Sequence, residues 1–294
     1  MDLVERRVKD ADTRRQLLDR GSKFFFDYVD RLSALLTEEY EREREQVNRK
    51  RGDQRTVLVH QLLNGAQHDS ETVGWPLEHH HLGMLAWGET PDRTIQELGR
   101  ALGRPALVVE SGMQGTRFGW ASGAGPLSVA EDRMVSSFKP SHGQVALGLE
   151  AAGADGFVLT NRQSRRAGWA AWSTDDPVTR FRDVALEALA VEDEDSARAF
   201  VAAEIRGFDD HSARSERLRE TLLAYFSADQ NAAAAAASLE VHQQTVANRI
   251  KAAEELLGST VGARRGELEL ALRLHRCFTR TPPLSANLIA GDFG

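Results

Sequence analysis

Asn231-Ala-Ala-Ala-Ala-Ala-Ala-Ser-Leu-Glu-Val-His-Gln-Gln-Thr-Val-Ala-Asn-Arg-Ile-Lys-Ala-Ala-Glu-Glu-Leu-Leu257 reads as two helices joined at a tight angle. Asn231 is an N-cap candidate, because its side chain can accept from an orphan backbone N–H of the first turn. The alanines that follow favour helix and let a second helix approach closely. Leu239 and Val241 bracket a short turn, and a second helix is expected to start near Gln243. Val246, Ile250, Ala253 and Leu257 then share one face at helical spacing, with Gln244, Asn248 and Lys251 opposite. An apolar side to seat the helix and amide or cationic tips outward are what a helix reading base edges requires. An ordinary helical hairpin with a solvated polar face would show the same pattern.

The flanks extend the helical reading. Upstream, Leu218, Leu222 and Tyr225 repeat at helical spacing. Downstream, Gly258 stands where a helix would stop, and a further helix is expected from about Glu267. The order Leu-Arg-Glu-Thr-Leu, an alanine-rich helix, Val-His-x-x-Thr-Val-x-x-Arg, Glu-Glu-Leu-Leu-Gly and Leu-Glu-Leu-Ala-Leu-Arg-Leu resembles the C-terminal helix-turn-helix of PucR/CdaR-type bacterial transcription regulators. The resemblance spans about Arg214 to Cys277. It implies a regulator that binds double-stranded DNA as a homodimer, with an unidentified small-molecule effector. The candidate DNA contacts are His242, Gln243, Gln244, Thr245, Asn248, Arg249 and Lys251, with Thr245 and Arg249 suited to phosphates. The chain departs from the family at Gln243-Gln244 and Ala247-Asn248, where the family often has Arg-Asn and Arg-Tyr, so two cations are missing.

From Glu216 to Arg276 eight basic residues meet eight acidic ones, so the net charge of −7 lies outside this segment. A neutral module gains little sequence-independent phosphate attraction, and two copies on a two-fold operator would compensate. The acidity of the whole chain argues against coating nucleic acid or membrane. Cys277 is the only cysteine, which excludes an intrachain disulfide and a cysteine-based zinc site. The start, Met-Asp-Leu-Val-Glu-Arg-Arg, has no apolar secretory core, and no run is long enough to span a bilayer. A cytoplasmic location is expected.

With 294 residues, several domains are expected. Residues 1–73 read as a helical or signalling segment, 74–207 as an α+β domain, 208–280 as the all-α helix-turn-helix domain and 281–294 as a tail. Leu17, Phe24, Tyr28, Leu32, Leu35 and Leu36 make an apolar stripe on a long helix over about 13–39. Such a stripe needs a partner, and pairing with a second copy is the expectation. Residues 41–55 are almost wholly charged and read as a solvated spacer. Apolar residues resume at Val57, Leu58, Leu62 and Leu63 before a stop at Asn64-Gly65.

The middle alternates strand-like and helix-like pieces, giving an α+β fold with an antiparallel sheet. Strands are expected at His81–Trp87, Pro105–Glu110, Thr116–Ala121 and Gln144–Leu149. Helices are expected from Thr90-Pro91 to Leu102, over Asn161–Trp172 and from about Ser196 to Arg206. In the PucR/CdaR resemblance this region is GGDEF-like, through Val145–Glu150, Gly153–Phe157, Val178–Phe181, Asp183–Leu186 and Ala199–Val201. That resemblance puts the substrate hairpin of a cyclase at Gly153–Phe157, which lacks the adjacent carboxylates, so no enzymatic activity and no cofactor are expected. His79-His80-His81 reads as a solvated loop, since neighbours on an extended chain cannot converge on one metal. Gly119-Trp-Ala-Ser-Gly123 places Ser122 one position off a nucleophile elbow and reads, like Gly123-Ala-Gly125, as a turn. Trp169 and Trp172 read as core. The alternative reading is a signalling or scaffold protein whose helix-turn-helix-like module serves dimerisation.

Overall fold

The computed structural model describes residues 52–171 and 176–280. The stripe expected at 13–39, most of the charged spacer, Trp172 and the tail lie outside the described residues. Leu58 and the described residues after it form a second unit, separate from residues 1–57. In the second unit, residues 58–63 are helical, bury Val59 and Leu62, and end at Asn64-Gly65 as expected.

The sheet layer runs β1 (His80–Trp87), α1 (Pro91–Leu102), β2 (Ala106–Glu110), β3 (Thr116–Gly123), α2 (Val129–Ser137) and β4 (Gln144–Leu147). It continues through β5 (Ala151–Ala152), α3 (Gly153–Ala171) and β6 (Val178–Arg180). The strand order is β2-β3-β1-β4-β6, with β5 paired to β1. β3 lies antiparallel between β1 and β2, a split β-α-β arrangement. Among the described residues only the β4–β6 pair is parallel. Both faces are covered, so the strands bury alternate residues in opposite directions. Leu82, Met84, Ala86, Ala121, Val145 and Leu147 pack with Ile95, Leu98 and Leu102 of α1. Leu85, Leu107, Val109, Phe118, Trp120 and Ala146 pack with Phe157 and Ala167 of α3. Trp120 stacks on Phe157 with ring centroids 4.1 Å apart.

Four expectations are corrected here. Gly153–Phe157 is not a hairpin: it is the first turn of α3, which begins eight residues before the expected Asn161. Gly153 takes a left-handed φ of 79°, which turns the chain from β5 into the helix, and a Cβ on Gly156 would strike the Ala151 backbone. The tight hairpin in the sheet is β2–β3, closed through Ser111–Gly115, a loop without a carboxylate. Gly119–Gly123 is not a turn but the second half of β3. His79–His81 is not a solvated loop, because His81 is fully buried in β1. Thr90 stands at the N-cap of α1 but makes no side-chain cap bond; Pro91 supplies the fixed φ instead. Helix α2 was not foreseen. Ser128 and Glu131 close a capping box at its start, and the Arg104 guanidinium, 2.6 Å away, holds the Glu131 carboxyl down to about 2.

The rest is helical: α4 (Ala185–Ala190), α5 (Glu194–Glu204), α6 (Ala213–Ser227), α7 (Ala232–Ser238), α8 (Gln243–Leu257) and α9 (Arg265–Arg280). Asp193 caps α5 by accepting from Ser196 N, close to the expected start. One core joins Trp169 and Ala170 of α3 to Val201, Ile205, Phe208, Leu218, Leu222, Phe226, Leu272 and Cys277. Residues 207 and 208 therefore sit between helices that share a single core.

Candidate nucleic-acid interface

Helix α7 starts because the Asn231 side chain accepts from Ala233 N at 3.0 Å and Ala234 N at 3.1 Å. Ala235 and Ala236 are buried against Val246 of α8. Their minimal side chains let the two helices approach closely. The turn between them passes through Glu240, whose φ of 54° is unusual for a residue with a Cβ. Val241 N then donates to Ala236 O at 3.0 Å.

His242 is the N-cap of α8. Its Nδ1 accepts from Gln244 N at 3.1 Å, so this side chain orders the start of the helix. Val246 and Ala253 are buried, and Ile250 and Leu257 are half-buried on the same face. Gly258, at φ 71°, ends the helix as expected. Gln243, Gln244, Asn248 and Lys251 are exposed, and Gln244 Nε2 donates to Asn248 Oδ1 at 3.1 Å. The pair leaves the Gln244 carbonyl and the Asn248 amine directed to solvent, an acceptor and a donor one helical turn apart. Thr245 is half-buried. Arg249 is also half-buried, and its Nη1 donates to Thr221 Oγ1 of α6 at 3.1 Å. The structure thus leaves Gln243 exposed, brings Gln244, Asn248 and Lys251 onto one outward face of α8 and turns Arg249 partly inward.

The cations of the segment are mostly committed internally. Arg219 is buried and donates to Asp210 O at 2.9 Å. Arg264 pairs with Glu204 at 2.8 Å, Arg265 with Asp229 at 3.3 Å, and Arg273 with Glu187. Among the described residues of 216–276, Arg217 and Lys251 are the exposed cations without an ion pair. Arg217 precedes Thr221 by one turn of α6, and Thr221 Oγ1 donates to its carbonyl at 2.6 Å. Sequence reasoning did not single out Arg217, because which cations stay free of ion pairs depends on contacts between distant segments. No group of residues suited to a metal ion occurs among the described residues, and no helix there is long and apolar enough to cross a membrane.

An alanine-lined helix pair with a polar outer face, carried on supporting helices behind a mixed α+β layer, defines a helix-turn-helix protein. Residues 218–275 match the PucR C-terminal helix-turn-helix domain, and this segment is such a domain, the kind of module that transcription regulators carry. A solved structure is also similar, that of a regulator of polyketide synthase expression from Bifidobacterium adolescentis. It is 17% identical with a TM-score of 0.38, over 78% of this chain and 100% of that one. No curated protein matches the chain.

Proposed function

We propose that this protein is a transcription regulator that reads double-stranded DNA with α8 in the major groove. The observation that carries the reading is the exposed Gln244–Asn248 amide pair on a helix seated by a PucR-type helix-turn-helix. Glutamine and asparagine can pair bidentately with adenine. Lys251 and Arg217 supply phosphate contacts, with Gln243 and Thr245 beside them, while His242 and Arg249 act chiefly by holding α8 in place. With so few free cations, one module binds weakly, and a homodimer on a two-fold site raises affinity. Such a role belongs in the cytoplasm. Selection of bound DNA from a random pool tests it: an enriched two-fold motif is expected, and no enrichment at low salt overturns it. Light scattering before and after deletion of residues 1–40 tests whether the aromatic stripe makes the dimer. A dimer that binds no DNA would instead favour a scaffold whose helix-turn-helix serves association.

The sheet layer is proposed to assemble or sense rather than catalyse. The β2–β3 hairpin at Ser111–Gly115 offers no carboxylate, and Asp155 is a single exposed acid in the first turn of α3. Two metals and a triphosphate would find no charge-matched site on either. Incubation with GTP and magnesium or manganese should give no cyclic dinucleotide, and turnover abolished by Asp155→Ala would overturn this.

A further inference from the structure

A reading helix meets base edges with its N-terminal residues. Among the described residues 243–250, the start of α8, the exposed side chains are Gln243, Gln244, Ala247 and Asn248. None of the four is charged. Arg249, the arginine of this stretch, is half-buried and committed to Thr221 Oγ1 at 3.1 Å. Lys251 and Glu255, both exposed, continue the face of Gln244 only on later turns. The side chains that pair best with guanine, arginine and lysine, are therefore missing where bases are read. So are the carboxylates that accept from cytosine.

What remains matches a different edge. Gln244 Nε2 donates to Asn248 Oδ1 at 3.1 Å, so the Gln244 carbonyl is left to accept and the Asn248 amine to donate. Adenine presents a donor and an acceptor in the major groove, N6–H and N7, and complements the pair. Guanine presents two acceptors, one of which would face the Gln244 carbonyl. Ala247, exposed beside Asn248, offers a methyl group, the apolar contact suited to the C5-methyl of thymine. Cytosine has an amine for the carbonyl but no such methyl. We propose that α8 recognises A·T base pairs, the bonded Gln244–Asn248 pair reading adenine and Ala247 the methyl of a neighbouring thymine. This rests on the DNA-reading function above and adds to it the class of operator and one further reader, Ala247.

The test is selection of DNA from a random pool by the full chain, then fluorescence anisotropy on the selected site. A·T base pairs are expected at the positions whose preference changes in Asn248→Ala. Replacing the thymines of the site one at a time with deoxyuridine removes only the methyl. At one position this should weaken binding about fourfold, the worth of one buried methyl group. In Ala247→Gly that deoxyuridine effect should vanish, with circular dichroism confirming the helix. Asn248→Arg should move one enriched base from adenine to guanine. A motif with G·C at the positions that respond to Asn248→Ala overturns the inference and leaves the DNA-reading function standing. Deoxyuridine that is harmless at every thymine, or as harmful in Ala247→Gly as in the parent, overturns the role of Ala247. No enriched motif at all removes the DNA-reading function, and the A·T preference falls with it.

Discussion

Arg249 on the outward-facing helix α8 reaches back to donate to Thr221 Oγ1 on α6, 3.1 Å away, and so ties the reading helix to its support. Thr221 is fully buried, and its hydroxyl in turn donates to Arg217 O. Arg249→Ala and Thr221→Val should each lower stability by about 1 kcal/mol, the usual worth of one such bond. The double variant should lose less than the sum, since both changes remove the same contact. Urea unfolding of the four proteins measures this, and strict additivity would show that the bond contributes nothing.

Gln244 and Asn248 hydrogen-bond to each other on the exposed face, so each positions the other for a base edge. Replacing either with alanine should relax base preference at one position, at about 1–3 kcal/mol. Arg217→Ala should weaken binding evenly across sequences and reduce the salt slope by about one. Fluorescence anisotropy on a panel of single-base operator variants separates the two behaviours. A uniform loss from Asn248→Ala would remove it from base reading.

Gly83 on β1 lets the α3 backbone pack close against the sheet. A Cβ there would lie 2.6 Å from the Thr160 carbonyl carbon, and Gly83 N donates to Thr160 Oγ1 at 2.7 Å. Backbone cannot retreat as a flexible side chain can. Gly83→Ala should cost about 1–3 kcal/mol or more through overpacking. Thermal unfolding checks it, with Gly103→Ala in open space at φ 64° as a control whose cost comes from backbone strain alone.

His81 is buried in a closed network. Trp75 Nε1 donates to Ser122 Oγ at 3.0 Å, and His81 Nε2 faces Leu77 O at 3.1 Å as a donor. His81 Nδ1 is thus left unprotonated to accept the Ser122 hydroxyl at 2.7 Å. Burial pushes its pKa below 6.5, and burial does the same for His275, where Arg219 adds to the shift. A histidine with a lowered folded pKa contributes stability that is present above its unfolded value and is lost as pH falls through the folded one. The unfolding midpoint should therefore drop as pH is lowered from about 6.5, and His81→Gln should flatten that slope. An equal slope in parent and variant would show that His81 is not the titrating group.

The sequence by itself determined the elements whose signals are local. Asn231, the alanine run and Gly258 placed both helices of the helix-turn-helix, because caps, propensity and spacing act within a few residues. The apolar run His81–Trp87 and the Pro91 start of α1 were legible for the same reason. Local signals also misled where one residue type serves two geometries. Gly153 reads as a hairpin turn, yet its positive φ starts a helix, because Gly156 must pass close to the Ala151 backbone. Only the tertiary structure decided which polar residues near α8 face outward. Arg249 and Lys251 look alike in the sequence, but Thr221, 28 residues away, draws one of them inward. The burial of His81 beside Ser122 depends on the same kind of contact between distant segments. Such contacts are set by how layers pack, and no periodicity within one segment records them.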